Sequence, residues 1–340
     1  MTLKQLAQEL GLSKSTVSRA LNGYLDVNEV TRKRVLEYAK KTGYSPNPAA
    51  VRLASGCTRT VGVILPALGQ ELVSPAFSRI LASAARELAV YQYNLQLTTL
   101  VDLNNEIALY EHYIKGGTVD GLFLVRPRVH DPRLELLIKH SFPFVVHGRS
   151  PGKMCSWVDT DSEQTFYKMT CRQLESGHQH IAFIDAPAEL QLSVDRRQGF
   201  LKAISEYGIW PRPEWIRHGA LDFETGYNLA TELLKGELIP TSIICADDNM
   251  ALGAIAASES RGLKVGVDIA ITGYGNYQQG NYSKPALTTV SYDTDEVGVN
   301  IARMLLAQMG VKQIPQESKS GIVVPAHIVE RGSDKFYIKN

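Results

Sequence analysis

Apolar residues recur with a helical period along the first 45 or so positions, and the pattern then changes to short apolar runs separated by amphipathic stretches. Leu3, Leu6, Ala7 and Leu10 fall at i, i+3, i+4 and i+7, one face of a helix that Thr2 can cap and Gly11 ends. Ser13 can cap a second helix from Lys14 to about Leu21, with Val17, Ala20 and Leu21 facing inward and Asn22-Gly23 stopping it. A third helix is predicted from about Asn28 to Thr42, burying Val30, Val35, Leu36 and Ala39 and closed by Gly43.

After Gly56 strands and helices alternate. Thr60 to Leu65, Leu95 to Leu100, Gly121 to Val125 and Phe144 to Val146 read as strands. Helices are predicted from about Pro75 to Tyr91, from Glu106 to Lys115 and near Pro132 to His140. The alternation resumes with Ile181 to Ile184, Ser242 to Ala246 and Ile269 to Thr272. Such a series implies an α/β fold with parallel sheets covered by helices on both faces. The stretch is long for one sheet, so two similar lobes are expected.

Composition narrows the class. The chain has 340 residues, 44% hydrophobic and 21% charged, as in a soluble globular protein. No apolar run reaches the roughly 18 residues of a membrane span, and the amino terminus lacks a secretory signal. Cys57, Cys155, Cys171 and Cys245 are widely spaced, which suits free thiols in a reducing cytoplasm better than zinc or redox chemistry. Charge is unevenly spread: residues 1–56 hold nine Lys or Arg against four Asp or Glu, within a chain whose net charge is +1. A basic head on a mildly acidic body suggests that the head meets a polyanion.

The first two helices, separated by a tight turn at Gly11, make a helix-turn-helix, whose second helix enters the major groove of double-stranded DNA. Lys14, Ser15, Thr16, Ser18 and Arg19 lie on its polar side. Arginine can bind guanine O6 and N7 with both arms of its fork, while Ser and Thr suit phosphate or mixed contacts.

Three segments make the chain recognisable: Thr2-Leu-Lys-Gln-Leu-Ala with Gly11-Leu-Ser-Lys-Ser-Thr-Val-Ser-Arg-Ala-Leu-Asn22, then Thr31-Arg-Lys-Arg-Val through Gly43-Tyr-Ser-Pro-Asn-Pro-Ala, then Val51-Arg-Leu-Ala-Ser-Gly56. Together they resemble the LacI/GalR (lactose and galactose repressor) family of transcriptional regulators over nearly the whole chain. The resemblance implies a helix-turn-helix domain over 1–45, a hinge over 46–57 and an effector-binding and dimerisation domain over 58–340. That body would have two lobes like those of periplasmic sugar-binding proteins: lobe 1 about 58–157 plus 293–320, lobe 2 about 158–292 plus 321–335. Crossovers are expected near Trp157 and Asp293, with a late return near Val323. Carried over from the family, Lys14, Ser15 and Arg19 read bases, and Thr2, Ser13, Thr16, Ser18, Asn22 and Asn47 complete the DNA-contacting set. Leu53 matches a hinge leucine that wedges into the minor groove. The partners implied are a near-palindromic operator, a second copy of the chain in a homodimer, and a small effector, most simply a sugar, with no membrane and no cofactor.

Ligands of open α/β sheets bind beyond the carboxyl ends of strands. Pro66 ends the first strand, Ser74 and Phe77 open the next helix, Arg126 ends the third strand, and His147 and Arg149 end the fourth. Arg196, in Asp-Arg-Arg-Gln-Gly-Phe200, and Asp247, in Ile-Cys-Ala-Asp-Asp-Asn-Met, match the family's ligand-facing positions. Charged groups and an aromatic ring suit a polyhydroxylated effector. One departure stands out: Gly273-Tyr-Gly-Asn276 lacks, at Gly275, a carboxylate that many relatives place on the sugar, so Asn276 or Tyr277 is expected to substitute, or the effector lacks the group it would bind. Val119-Asp-Gly-Leu-Phe-Leu with Asp131-Pro-Arg and His-Gly-Arg looks like a branch linked to α-glucosides and related disaccharides.

Other readings fit less well. His178-x-His180 has metal-ligand spacing but precedes an apolar strand in a family turn, so no metal is expected, and Trp210-Pro-Arg-Pro reads as a surface loop. A glycosidase needs two carboxylates across one bond, whereas the candidates named above are mostly basic or neutral. A sugar-transport protein would explain the body but leave the helix-turn-helix without a purpose.

Overall fold

The computed structural model describes residues 1–21, 24, 26–45, 56–66, 74–100, 102–314 and 320–335. The expectations for Asn22, Asn47 and Leu53, and for most of the hinge, lie outside them. The chain divides into two compact units, Met1–Thr58 and Arg59–Asn340.

In the first unit, α1 (Leu3–Leu10), α2 (Lys14–Leu21) and α3 (Glu29–Thr42) follow the apolar periodicity. Thr2 caps α1 reciprocally with Gln5, and the Ser13 hydroxyl accepts the Thr16 amide at 3.0 Å. Such caps satisfy amides that the helix itself leaves open and contribute about 1 kcal/mol each. Gly11 and Gly43 end their helices at positive φ, 64° and 65°. The core comprises Leu6, Ala7, Leu10, Val17, Ala20, Val27, Val35 and Ala39, with Leu3 and Leu21 packed at its edge. Two expected core residues are corrected: Val30 and Leu36 are 75% and 46% exposed. With about 100° per residue, Val35 and Ala39 share a face, whereas Leu36 and Val30 turn well away from it. Among the described residues α3 packs on two short helices, so it buries a narrow stripe.

In the second unit, five strands from its first part and one from near its end build a parallel sheet. These are β1 (Thr60–Pro66), β2 (Asn94–Leu100), β3 (Gly121–Val125), β4 (Phe144–His147), β5 (Ser156–Thr160) and β11 (Gly321–Val324), in the order β11-β5-β4-β3-β1-β2. A second parallel sheet has the order β7-β6-β8-β9, from β6 (Ile181–Asp185), β7 (Ile216–His218), β8 (Ser242–Cys245) and β9 (Ala270–Thr272). β10 (Thr289–Tyr292) pairs antiparallel with β12 (Ala326–Val329). Central strands β3, β6 and β8 are buried throughout, which is why they read as unbroken apolar runs.

The sheet order corrects the expected lobe limits. Residues 158–160 and 321–324 belong to the first sheet, because β5 stays in register with β11 through Thr160 opposite Val324. Apolar patterning marks a strand but not the sheet it joins. The helix after β10, α11 (Thr294–Gln308), returns to the first lobe and packs on α4 (Pro75–Val90). That approach needs Gly298, where a Cβ would lie 2.4 Å from the Ile80 carbonyl oxygen.

The lobes are also joined by main chain away from these passages. The Val129 amide donates to the Glu189 carbonyl at 3.0 Å, and the Gln191 amide donates to the Pro127 carbonyl at 2.9 Å. The second of these bonds satisfies an open amide at the start of α8 (Gln191–Glu206) with a carbonyl from the opposite lobe.

Candidate DNA-reading head and effector cleft

On the head, Lys14, Ser15 and Arg19 are exposed along α2, and Thr16 and Ser18 are half-buried at its flank. Ser13 spends its hydroxyl locally, within 2.7 Å of the Ser15 and 2.8 Å of the Thr16 hydroxyl oxygens. Arg19 forms an ion pair with Asp26, its Nε donating to Oδ1 at 3.2 Å, and its guanidinium carbon lies 5.3 Å from the centre of the Tyr24 ring. The basic, hydroxyl-rich face expected on α2 is therefore present, with its arginine held by neighbours that sequence reasoning did not single out.

In the body, strand ends and helix starts from both lobes enclose a cleft with about 880 Å³ of empty space, part of it open to solvent. Of the expected effector residues, Ser74, Phe77, Arg126, His147, Arg149, Arg196 and Asp247 all line it. Pro66 is the last residue of β1, and its side chain lies outside the described ones. Asn276 is turned elsewhere: its carbonyl oxygen accepts from Arg331 at 2.7 Å and its amide donates to Ser291 at 3.2 Å. Tyr277 lines the cleft instead.

Arg196 rises from α8 and is 8% exposed. Its Nη1 donates to the Ala246 carbonyl at 2.8 Å, and its guanidinium carbon lies 4.5 Å from the Tyr274 ring centre and 5.2 Å from that of Phe166. Its Nε is buried and has no hydrogen-bond partner among the described residues. Asp247 caps α10 (Asp248–Ser260), accepting the Asn249 amide at 2.8 Å and the Tyr277 hydroxyl at 2.7 Å. Burial pushes its carboxyl up to about 6, although the Tyr277 hydrogen bond opposes the shift. Burial, helped by Arg126 and Arg196, pushes His147 down to about 4, so its imidazole is neutral at physiological pH and can both donate and accept.

Arg126 occupies positive φ, 49°, at the end of β3, and its carbonyl accepts from Arg133 at 2.9 Å. Left-handed backbone at a large residue is uncommon and gathers at functional sites. Arg149 lies 5.3 Å over Trp157 and 3.9 Å from Asp159.

Sequence reasoning missed several lining residues. Asp159, Thr160 and Ser162 sit where a crossover was expected, and Tyr274 and Tyr292 lie at or just past the ends of β9 and β10. Applying the strand-end rule to every expected strand would have found Tyr274; β5 and β10 were not expected as strands, which put Asp159 and Tyr292 out of its reach. Leu192 and Leu221 carry no such signal. Asp159 gives the cleft a second carboxylate, which burial raises to about 6.

Comparison with known proteins decides the identity. A family model described as bacterial regulatory proteins, lacI family, matches residues 2–47, and one described as periplasmic binding protein-like domain matches residues 172–333. The HTH-type transcriptional regulator AglR of Rhizobium meliloti (strain 1021) is 37% identical over 312 residues, covering 90% of this chain and 87% of its own length. The chain belongs to the LacI family of bacterial regulators. Another relative, the transcriptional repressor PurR of Erwinia tasmaniensis, is 32% identical over 338 residues, covering 98% of this chain and 96% of its own. Among solved structures, a complex of the transcriptional regulator CelR with cellobiose superposes with a TM-score of 0.75 at 27% identity, over 98% of this chain and 99% of the other. As a LacI-family member the chain is a DNA-binding transcriptional regulator rather than an enzyme.

Proposed function

We propose that two copies of the chain bind a near-palindromic operator as a repressor, that α2 reads the bases, and that a neutral sugar in the cleft changes the grip on DNA. The observation that carries the effector assignment is Arg196: a buried guanidinium lying against the stacked rings of Phe166 and Tyr274, with one donor used and its Nε unpaired among the described residues. Buried polar atoms without partners are rare and call for an explanation. Around it the lining mixes cations (Arg126, Arg149), carboxylates (Asp159, Asp247) and a neutral imidazole (His147) with aromatic faces (Phe77, Tyr274). Hydroxyl groups, which both donate and accept, suit that mixture, and a ring's apolar face suits the tyrosines. An anion would meet the two carboxylates. CelR, similar over nearly its whole length, takes a disaccharide. No helix among the described residues is long and apolar enough to cross a membrane, and we assign the protein to the cytoplasm, where its operator is.

Binding coupled to lobe closure would alter the spacing of the two heads, with a coupling of roughly 1 to 3 kcal/mol, or about 5- to 150-fold in DNA affinity. A thermal-shift screen with mono- and disaccharides and their phosphates tests the effector, since ligands of the native state raise the melting temperature. A neutral sugar should shift wild type, and Arg196→Ala should lose the shift while operator binding persists. A response confined to phosphorylated or non-sugar compounds would overturn the assignment.

A further inference from the structure

Beyond one edge of the cleft lies a second pocket, with about 550 Å³ of empty space, part of it open to solvent. Ala76, Gly275, Tyr277 and Tyr292 border both spaces. Apart from Pro75, the rest of the outer pocket is polar, lined by Arg79, Asn276, Gln278, Gln279, Ser291 and Thr294.

Tyr277 is held from several sides and is 4% exposed. A carboxylate only accepts, so the tyrosine hydroxyl donates to Asp247, and its oxygen, 3.0 Å from the Ser74 hydroxyl oxygen, accepts from it. Ser74 caps α4 in the first lobe and Asp247 caps α10 in the second, so one hydroxyl joins two helix caps across the cleft. The Tyr277 amide donates to Asp248 at 2.6 Å. The ring covers Gly275, where a Cβ would lie 2.5 Å from Tyr277 Cε1, and this is the position at which sequence reasoning noted a missing carboxylate. The absence of a side chain at 275 and the presence of the tyrosine at 277 are thus one feature: the ring fills the space.

We propose that Tyr277 determines the length of the effector: its ring, fastened by the Ser74–Tyr277–Asp247 chain, walls the cleft off from the outer pocket, which becomes a subsite for one more sugar unit when the wall is removed. This rests on the effector being a sugar. The test uses the full-length protein with maltose against maltotriose and cellobiose against cellotriose, measured calorimetrically on wild type, Tyr277→Phe and Tyr277→Ala. Wild type and the Phe variant, which keeps the ring, should favour the two-unit sugar. In Tyr277→Ala the preference should move at least tenfold towards the three-unit sugar. An unchanged ratio in the Ala variant, or equal binding of both lengths by wild type, overturns the wall. Hydrogen exchange without sugar tests the fastening: Tyr277→Phe should speed exchange of the Ala76 and Phe77 amides in the opposite lobe, and unchanged rates there overturn it. That arm is independent of the effector assignment, which fails if no neutral sugar binds wild type.

Discussion

Two carboxylate clusters of the body, one in each lobe, are buried in opposite ways. In the first lobe Asp131 and Glu106 are buried against arginines: Arg133 Nη2 lies 2.6 Å from Asp131 and its Nη1 3.5 Å from Glu106, which also meets Arg128 at 2.7 Å. Burial pushes the Asp131 carboxyl up, but the Arg133 hydrogen bonds and charge outweigh it and hold the group below its usual range. In the second lobe Asp185 and Asp248 are equally buried, yet their hydrogen-bond partners are hydroxyls and main-chain amides. Ser193 donates to Asp185 at 2.5 Å, and Thr289 and the Tyr277 amide donate to Asp248 at 2.5 and 2.6 Å. Burial wins there, raising Asp185 to about 6 and Asp248 to about 7. The first arrangement is a strut that fixes the strand end carrying Arg126. The second keeps acidic groups close to titration beside Asp247 and the loop that carries Tyr277.

The largest effect expected from this difference follows from removing a compensating charge. Arg133→Ala would leave two carboxylates in the first lobe without their buried partner and should cost about 3 to 5 kcal/mol, read from the urea midpoint. Arg128→Ala removes a half-exposed partner of Glu106 and should cost roughly 1 kcal/mol or less. Equal losses from the two would mean that burial does not separate strut from surface pair.

Next comes pH. Asp159, Asp185, Asp247 and Asp248 have folded values above their unfolded ones, so the folded state binds more protons between about pH 4 and 7. The stability they contribute is full below the unfolded value and is lost as pH rises through the folded values. Asp131 works the other way, contributing stability above its unfolded value that is lost only as pH falls below it. His147 and His178, which burial holds down to about 4, oppose the raised carboxylates by contributing stability above their unfolded value that is lost as pH falls. Asp248 alone contributes on the order of 2 kcal/mol more near pH 5.5 than at pH 8, at about 1.4 kcal/mol per pH unit, so the deciding quantity is the difference between wild type and Asp248→Asn. Asp248→Asn should flatten the profile. A wild-type profile that falls no more steeply with pH than that of Asp248→Asn would sink the raised value of Asp248.

The contrast between the lobes also explains what the sequence could reveal. Helices α1, α2 and α4, the caps Thr2, Ser13 and Ser74, and the central strands depend on neighbours within a few positions, so periodicity and capping chemistry expose them. Arg196 and Asp247 were legible because their local motifs match a family pattern, and Arg126 and His147 because they end strands. The membership of β11 in the first sheet and the exposure of Val30 and Leu36 depend on what packs alongside, which no local window contains. Tyr277 was one of two substitutes considered for the missing carboxylate, and only its 2.7 Å contact with Asp247, thirty residues away, separates it from Asn276.

The smallest effect belongs to the head, where charges are exposed and neither lobe's rule applies. Arg19 and Asp26 have side chains 52% and 51% accessible, so their pair is worth roughly 0 to 1 kcal/mol. Reading a guanine requires Arg19 to exchange Asp26 and Tyr24 for the base. Arg19→Ala should therefore cost specific DNA binding towards the low end of the roughly 1 to 3 kcal/mol of a two-armed arginine–guanine contact. Asp26→Asn should tighten specific binding by at most about fivefold, because it removes that competitor. Loss of a negative charge near DNA also strengthens non-specific binding, so the deciding quantity is the ratio of the two measured at one salt concentration. A higher ratio means that Asp26 restrains the reader in the free head. A lower ratio would mean that Asp26 aims Arg19 at its base, and the pair would then be part of the recognition surface instead of its resting state.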